Sequence, residues 1–221
     1  MPHTMAFFEQ FDAVWGQRLG ARRDTFRFMF DYLIRQRPTG HLIVETGCAR
    51  QRDNWAGDGQ STFLFDRFVT EFQGDVLSVD IDPPSCDYAR SIVGPRTRVV
   101  TQDSVPFLRR LSGELLRTQR PIDLLYLDSF DFDAQNPVPS AMHHLKELCA
   151  IAPALKPKTL VVVDDTFRTL RGIRTGPQNY TLLGDMGLGG KGMYLAEYFQ
   201  QIGTPMAFEG YQCGWIIPEA E

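Results

Sequence analysis

Carboxylates close every one of five short apolar runs, and their spacing is the first feature with chemical meaning. The runs are HLIVET (41–46), DVLSVDID (75–82), RVVTQD (98–103), IDLLYLD (122–128) and TLVVVDD (159–165); their acids are Glu45, Asp80, Asp103, Asp128 and the adjacent pair Asp164-Asp165. Any one acid at such a place can be a turn residue or a helix N-cap. Five in five runs is a pattern that caps alone do not require. The densest set is Asp128, in YLDSFD, with Asp164 and Asp165, in VVVDDT. Three carboxylates brought together repel one another unless a cation neutralises them or some keep a proton. Hard oxygen ligands in that number suit Mg2+ or Mn2+, completed by water and substrate oxygens. Such an ion binds vicinal substrate oxygens, lowers the pKa of one hydroxyl and orients it for attack. Asp131, three residues beyond Asp128, is placed to take the hydroxyl proton as general base. A set of caps and turn residues stands beside this reading as the plainer one.

The elements that must position these acids follow from the apolar pattern. Runs without strict alternation suit parallel strands covered on both faces. They alternate with helix-like segments near 61–72, 85–93, 105–117 and 139–152. Strand and helix in turn imply βαβ units, hence an α/β fold with a doubly wound, mostly parallel sheet. Before it, residues 5–36 carry Phe7, Phe11, Trp15, Phe26, Phe30 and Leu33 at helical spacing, broken near Gly16–Gly20 and ended by Arg37-Pro38-Thr39-Gly40. The expected organisation is a helical extension over 1–40 and an α/β domain over 41–221. The tail holds a Gly-rich stretch, GDMGLGGKG (184–192), a helix at MYLAEYFQQI and a strand pair around MAFEG and YQCGWII.

Ligands of an open parallel sheet bind beyond the carboxyl ends of its strands, near the switch point. Glu45-Thr46-Gly47-Cys48 opens that edge, with Gly47 letting the backbone pass close to a ligand. Ser61-Thr62 can cap the next helix and aim its amides at the same place. Asp80, with Ile81 beside it, suits a bidentate grip on ribose hydroxyls, a device that nicotinamide enzymes share. The GxGxxG fingerprint of those enzymes is absent, which weakens a hydride-transfer reading. Asp103-Ser104 suits either a hydrogen bond to an adenine amine or the capping of the helix that follows.

The order VETGC, SVDID, TQDS, YLDSFD and VVVDD resembles the class I methyltransferases that use S-adenosyl-L-methionine, over roughly residues 40–166. Its last two segments are similar to metal-dependent O-methyltransferases of the catechol type and of the macrocin type, which acts on sugar hydroxyls. The resemblance implies Asp128, Asp164 and Asp165 as ligands of Mg2+ or Mn2+. It implies Glu45 and Gly47 at the methionine end of the cofactor, Asp80 at the ribose and Asp103 and Ser104 at the adenine, with Ser61, Ile81 and Asp128 also among the cofactor-binding residues. The catechol type carries a lysine base three residues after its first ligand; Asp131 stands there in this chain, closer to the sugar-modifying type. The implied activity is methylation of a hydroxyl on a small molecule, a sugar or natural-product scaffold. A metal-independent methyltransferase and a non-catalytic binding subunit are the alternatives. The first motif departs from the usual GxGxG, with Ala49 and a polar insertion, 49–60, in place of the later glycines.

Composition limits the rest. The chain has 221 residues, 43% of them hydrophobic, enough to bury a full core. A net charge of −4 and no basic run disfavour nucleic acid. Cys48, Cys86, Cys149 and Cys213 form no CxxC pair and suit free thiols in a reducing cytoplasm. The N-terminal segment lacks the pattern of a signal peptide, and no apolar stretch approaches membrane-spanning length. His143-His144 with Glu147 is not HExxH, so His143 is expected at most to support a site residue. GDMGLGGKG fails the spacing of a phosphate loop and is expected to be a flexible lid or turn. The aromatic N-terminal helices are expected to serve packing, a homodimer surface or a substrate lid. The acceptor pocket is expected from those helices, the 49–60 insertion and the 166–195 segment.

Overall fold

A computed structural model of the chain describes residues 2–174, 176 and 179–219. Five parallel strands, β1 (Leu42–Thr46), β2 (Asp75–Asp80), β3 (Thr97–Thr101), β4 (Leu124–Leu127) and β5 (Leu160–Val163), correspond to the five apolar runs. An antiparallel pair, β8 (Met206–Phe208) and β9 (Cys213–Ile216), extends the sheet, giving the order β3-β2-β1-β4-β5-β9-β8. This is the doubly wound, mostly parallel sheet that the pattern predicts. Helices α1 (Pro2–Gln10), α2 (Arg23–Gln36) and α4 (Ser61–Phe72) cover one face. The other face carries α6 (Ser104–Thr118), α7 (Val138–Ile151) and α8 (Met193–Gln201); the short α3 (Trp55–Asp58) precedes α4, and α5 (Pro83–Ile92) joins β2 to β3. Alternate strand residues feed the two layers: Ile43, Leu124, Tyr126 and Val162 enter the first, Val44, Leu125, Leu127 and Val163 the second. Burial on both faces is why the runs show no polar alternation. Among the described residues, no helix is long and apolar enough to cross a membrane.

The N-terminal segment is not a separate layer. Phe7, Phe11, Phe26 and Phe30 share one core with Phe65 and Phe68 of α4, and the Phe30 and Phe68 rings stack with centroids 5.1 Å apart. Their apolar faces are buried within the chain, the packing role among those expected of them. Between α1 and α2 the chain passes through a π turn (Phe11–Trp15) and two 3-10 turns (Gly16–Arg18 and Gly20–Arg22), the break expected near Gly16–Gly20.

The Gly-rich segment corrects an expectation. Instead of a loose lid, its first part completes β7 (Tyr180–Leu188), paired with β6 (Arg168–Arg174) in a separate hairpin, and its end is a 3-10 turn, Gly190–Gly192, leading into α8. Part of the expected 166–195 pocket wall, at 175, 177 and 178, lies outside the described residues.

Strand register sets the site. Asp128 N donates to the Thr46 carbonyl at 2.9 Å, and Asp164 N to that of Leu127 at 3.1 Å. The ends of β1, β4 and β5 are flush, so Gly47, Asp128 and Asp164 stand side by side.

Candidate cofactor cleft and acid cluster

The sheet order reverses between β1 and β4, and a cleft of about 260 Å3 opens at their carboxyl ends, lined by Gly47, Cys48, Asp80, Ile81, Asp128 and Ser129 among others. This is the position that doubly wound sheets use for ligands. The Asp80 carboxylate accepts from Cys48 N at 3.0 Å and Asp82 N at 2.8 Å, fixing both loops. Each oxygen keeps acceptor capacity for a ligand hydroxyl. Ile81 beside it is 68% exposed, a large apolar side chain presented to the cleft.

Several predicted contacts are relocated. Gly47 has a left-handed backbone, φ +78°, and a Cβ there would lie 2.4 Å from the Asp128 carbonyl oxygen. The close approach that requires glycine is thus first to the Asp128 backbone, with the ligand space beyond. Glu45, one residue inside β1, points to the α4 layer and is fully buried, accepting from Ser78 Oγ at 2.5 Å and Thr62 Oγ1 at 2.8 Å. Burial pushes its carboxyl up to about 7, against the opposing hydrogen bonds of Ser61, Ser78 and Thr62. Glu45 and Ser61 therefore brace the cleft from behind. Ser61 is not the cap either: Gln60 holds that position, with no side-chain cap, while Thr62 Oγ1 accepts from Ala49 N at 2.9 Å. Neither Asp103 nor Ser104 lines the cleft. Asp103 caps α6 through Val105 N at 2.9 Å, and buried Ser104 lies 3.0 Å from His143 Nε2. His143 is also 3.4 Å from Glu147, which accepts from Thr46 Oγ1 and Ser129 Oγ. Burial raises the Glu147 carboxyl, but His143, His144, Ser104 and Ser129 outweigh it and hold it below its ordinary range.

Asp131 stands at the mouth of the cleft, with Arg50 Nη1 donating to its two oxygens at 2.8 and 3.0 Å. Arg50 belongs to the 49–60 insertion, which buried Asp58 organises by accepting from Arg50 N and Asn54 Nδ2. The insertion closes over the cleft through this clamp.

The acid trio assembles as predicted: one oxygen of each of Asp128, Asp164 and Asp165 lies within 4.8 Å of the others. What neutralises it was not anticipated. Arg22, buried ahead of α2, donates through Nε to both oxygens of Asp164 at 3.0 Å and through Nη2 at 2.8 Å. Its Nη1 reaches the Ala56 carbonyl at 2.9 Å, and its guanidinium lies over the Tyr211 ring. Lys191, from the Gly190–Gly192 turn, places Nζ 3.0 Å from Asp165 and in a shorter ion pair with Asp128. Three carboxylates face two fixed cations. The excess negative charge falls on Asp128, whose carboxyl is pushed well up by burial, with Asp164 and Asp165 adding and Lys191 opposing. Asp165 goes the other way: Lys191, the Tyr211 hydroxyl and Arg22 hold it below its ordinary range despite burial.

These residues do not fit a divalent ion as they stand. Each carboxylate is already ion-paired, and the lysine between two of them is 1% exposed. In this arrangement side-chain cations stand where the expected Asp128, Asp164 and Asp165 ligand set would hold a metal. Arg22 carried no local signal, being one of two adjacent arginines in ARRD; Lys191 carried a weak one, a lysine enclosed by glycines.

A second, larger cavity of about 1030 Å3 is lined by Phe132, Phe167, Met186, Gly190, Tyr194 and Trp215 among others, Gly190 being the neighbour of Lys191. Asp131 lines the first hollow and Phe132 the second, so this loop divides them. Phe132 meets Phe167 edge-on at 5.2 Å.

No family model and no curated protein matches the chain. Among solved structures it is similar to the complex of DhpI with SAH, at 12% identity over 97% of this chain and 98% of that one, with a TM-score of 0.47. It is similar to the N-methyltransferase NodS from Bradyrhizobium japonicum WM9, at 9% identity over 90% and 98%, with a TM-score of 0.42. A short-chain dehydrogenase/reductase from Saccharomyces cerevisiae matches over 52% of this chain and 49% of its own length, at 15% identity and a TM-score of 0.39. The chain thus spans about half the length of some structures and nearly all of others. Likenesses this distant assign no activity, which rests on the site itself.

Proposed function

We propose that the chain transfers the methyl group of S-adenosyl-L-methionine to a hydroxyl of a small molecule. The observation that carries this is the cleft at the switch point, where Asp80 and exposed Ile81 close β2 opposite the Gly47–Cys48 turn. When bound, the cofactor supplies an electrophilic methyl group. Asp80 accepts from the ribose hydroxyls and Ile81 covers the adenine. Gly47, Cys48 and Asp128 shape the methionine end. The acceptor occupies the larger cavity, whose aromatic and methionine lining suits a natural-product scaffold with an apolar body better than a bare sugar. Its hydroxyl would approach along the loop that divides the hollows, where Asp131 takes the proton and passes it to water as the methyl carbon leaves sulfur for the hydroxyl oxygen, with S-adenosylhomocysteine as the leaving group. Arg50 holds Asp131 in place for that step.

The metal-dependent form of this reading is not favoured, because Lys191 and Arg22 occupy the donor set. No step is written through a metal. Four free cysteines, three of them buried, support a reducing cytoplasmic setting.

Calorimetry with S-adenosylhomocysteine tests the cofactor assignment. Wild type is expected to bind it, and Asp80→Ala to bind about tenfold or more weakly, as loss of a charge-assisted hydrogen bond implies. A folded sample that does not bind sinks the reading. Methyl transfer, where an acceptor is found, is expected to persist in EDTA.

A further inference from the structure

We propose that Lys191 is a resident cation: its ammonium holds the place among Asp128, Asp164 and Asp165 that a divalent ion would take, and its removal turns the trio into a metal site. The inference draws on the proposed function only for the reaction the trio serves. Lys191 is fixed there by the backbone as well as by its charge. Its amide N donates to the Asp165 carbonyl at 3.0 Å. Gly190 before it has φ +69°, and a Cβ there would lie 1.9 Å from that same carbonyl oxygen. Gly192 after it leaves no room either, since a Cβ would meet Thr166 Oγ1 at 2.4 Å. A turn seated this tightly on β5 delivers the lysine stem directly between Asp165 and Asp128, leaving 1% of the residue exposed.

The charges make the exchange plausible chemically. Three carboxylates against Arg22 and Lys191 sum to −3 + 2 = −1 when all are ionised. Without the lysine the sum is −3 + 1 = −2, the charge a divalent ion cancels. The carboxylate oxygens lie within 4.8 Å of one another, against the roughly 4.2 Å between opposite ligands of an octahedral Mg2+ shell with bonds of about 2.1 Å, so small side-chain shifts bring them into that range. Lysine gives the protein a cation that chelators cannot remove and that needs no loading. Within the proposed function Lys191 is a positioning residue, ordering Asp128 and Asp165 at the end of the cleft.

The test uses the full-length protein and metal alone, so its outcome is independent of cofactor binding. Mn2+ is titrated by electron paramagnetic resonance into wild type, Lys191→Met, which keeps most of the stem, and Lys191→Ala. Melting temperatures are recorded with and without Mg2+. Wild type is expected to bind no Mn2+ at the trio at millimolar concentration, and its Tm to ignore Mg2+. Each variant is expected to bind one Mn2+, to lose roughly 6 °C or more in Tm, and to regain roughly 5 °C in saturating Mg2+. Adding Asp165→Asn is expected to abolish that binding. One Mn2+ bound by wild type and lost in Asp165→Asn overturns the proposal, as does a folded lysine variant that binds none. Variants that fold in neither the presence nor the absence of Mn2+ overturn it too, because the cation is then not interchangeable.

Discussion

Replacing Arg22 with alanine should be among the most damaging single changes in the molecule, and the reason is burial. The side chains of Arg22 and Asp164 are 5% and 1% exposed, and the guanidinium also bonds the Ala56 carbonyl and covers Tyr211. Removing one partner of a buried pair strands the other charge, at a cost of about 3–5 kcal/mol. For a domain of this size that is a fall in Tm of about 6–20 °C. Arg168 provides the control. It too pairs with two acids, Glu209 and Asp185, but all three side chains are about a third or more exposed. Solvent screening leaves such exposed pairs weak, so Arg168→Ala should move Tm by a few degrees at most. Thermal and urea unfolding of both variants, with Asp164→Ala and the Arg22/Asp164 double variant, complete the comparison. The double variant should cost clearly less than the two single changes added, since it removes both buried charges together. An Arg22→Ala protein no less stable than Arg168→Ala would refute the reasoning, as would simple additivity in the double variant.

Glu45→Gln tests the buried carboxyl behind the cleft. The folded value near 7 exceeds the ordinary 4.5, so the folded chain keeps a proton that the unfolded chain releases between those values. Wild-type stability is therefore eroded as pH rises from about 4.5 to 7, and glutamine, which does not titrate, should gain on it across that window and hold its gain above it. Parallel unfolding free energies at pH 5 and pH 8 would contradict this. Gly47→Ala should distort the Asp128 backbone and weaken S-adenosylhomocysteine binding by tenfold or more, because the new Cβ would meet a carbonyl oxygen at 2.4 Å; calorimetry giving wild-type affinity would disprove it. Asp131→Asn should lower turnover by about 100-fold, in line with loss of a general base, while leaving cofactor affinity within about twofold; unchanged turnover would remove Asp131 from the chemistry.

The fold was legible because parallel strands covered on both faces must be apolar at every position, and LIVET, LLYL and LVVV carry that mark in the chain itself. The helix over 61–72 was equally plain, as was the flush row of acids, since a strand that meets the sheet's carboxyl edge ends in polar residues. Thus Asp80 and the trio were identifiable from local sequence. The direction in which each side chain points was not. Glu45 and Thr46 are neighbours, yet one faces α4 and the other reaches Glu147 of α7, because alternate strand residues enter opposite layers. The charge balance of the trio was still less readable. Asp164 is neutralised from 142 residues away by Arg22, and Asp128 from 63 residues away by Lys191; Arg22 bears no local sign of its partner and Lys191 only its glycine setting. Sequence alone placed three carboxylates together and asked for a cation among them or a retained proton. Only the tertiary structure decided that the cation is part of the chain, because ion pairing acts through space, and the packing of the N-terminal helices and the glycine turn determines which charges arrive.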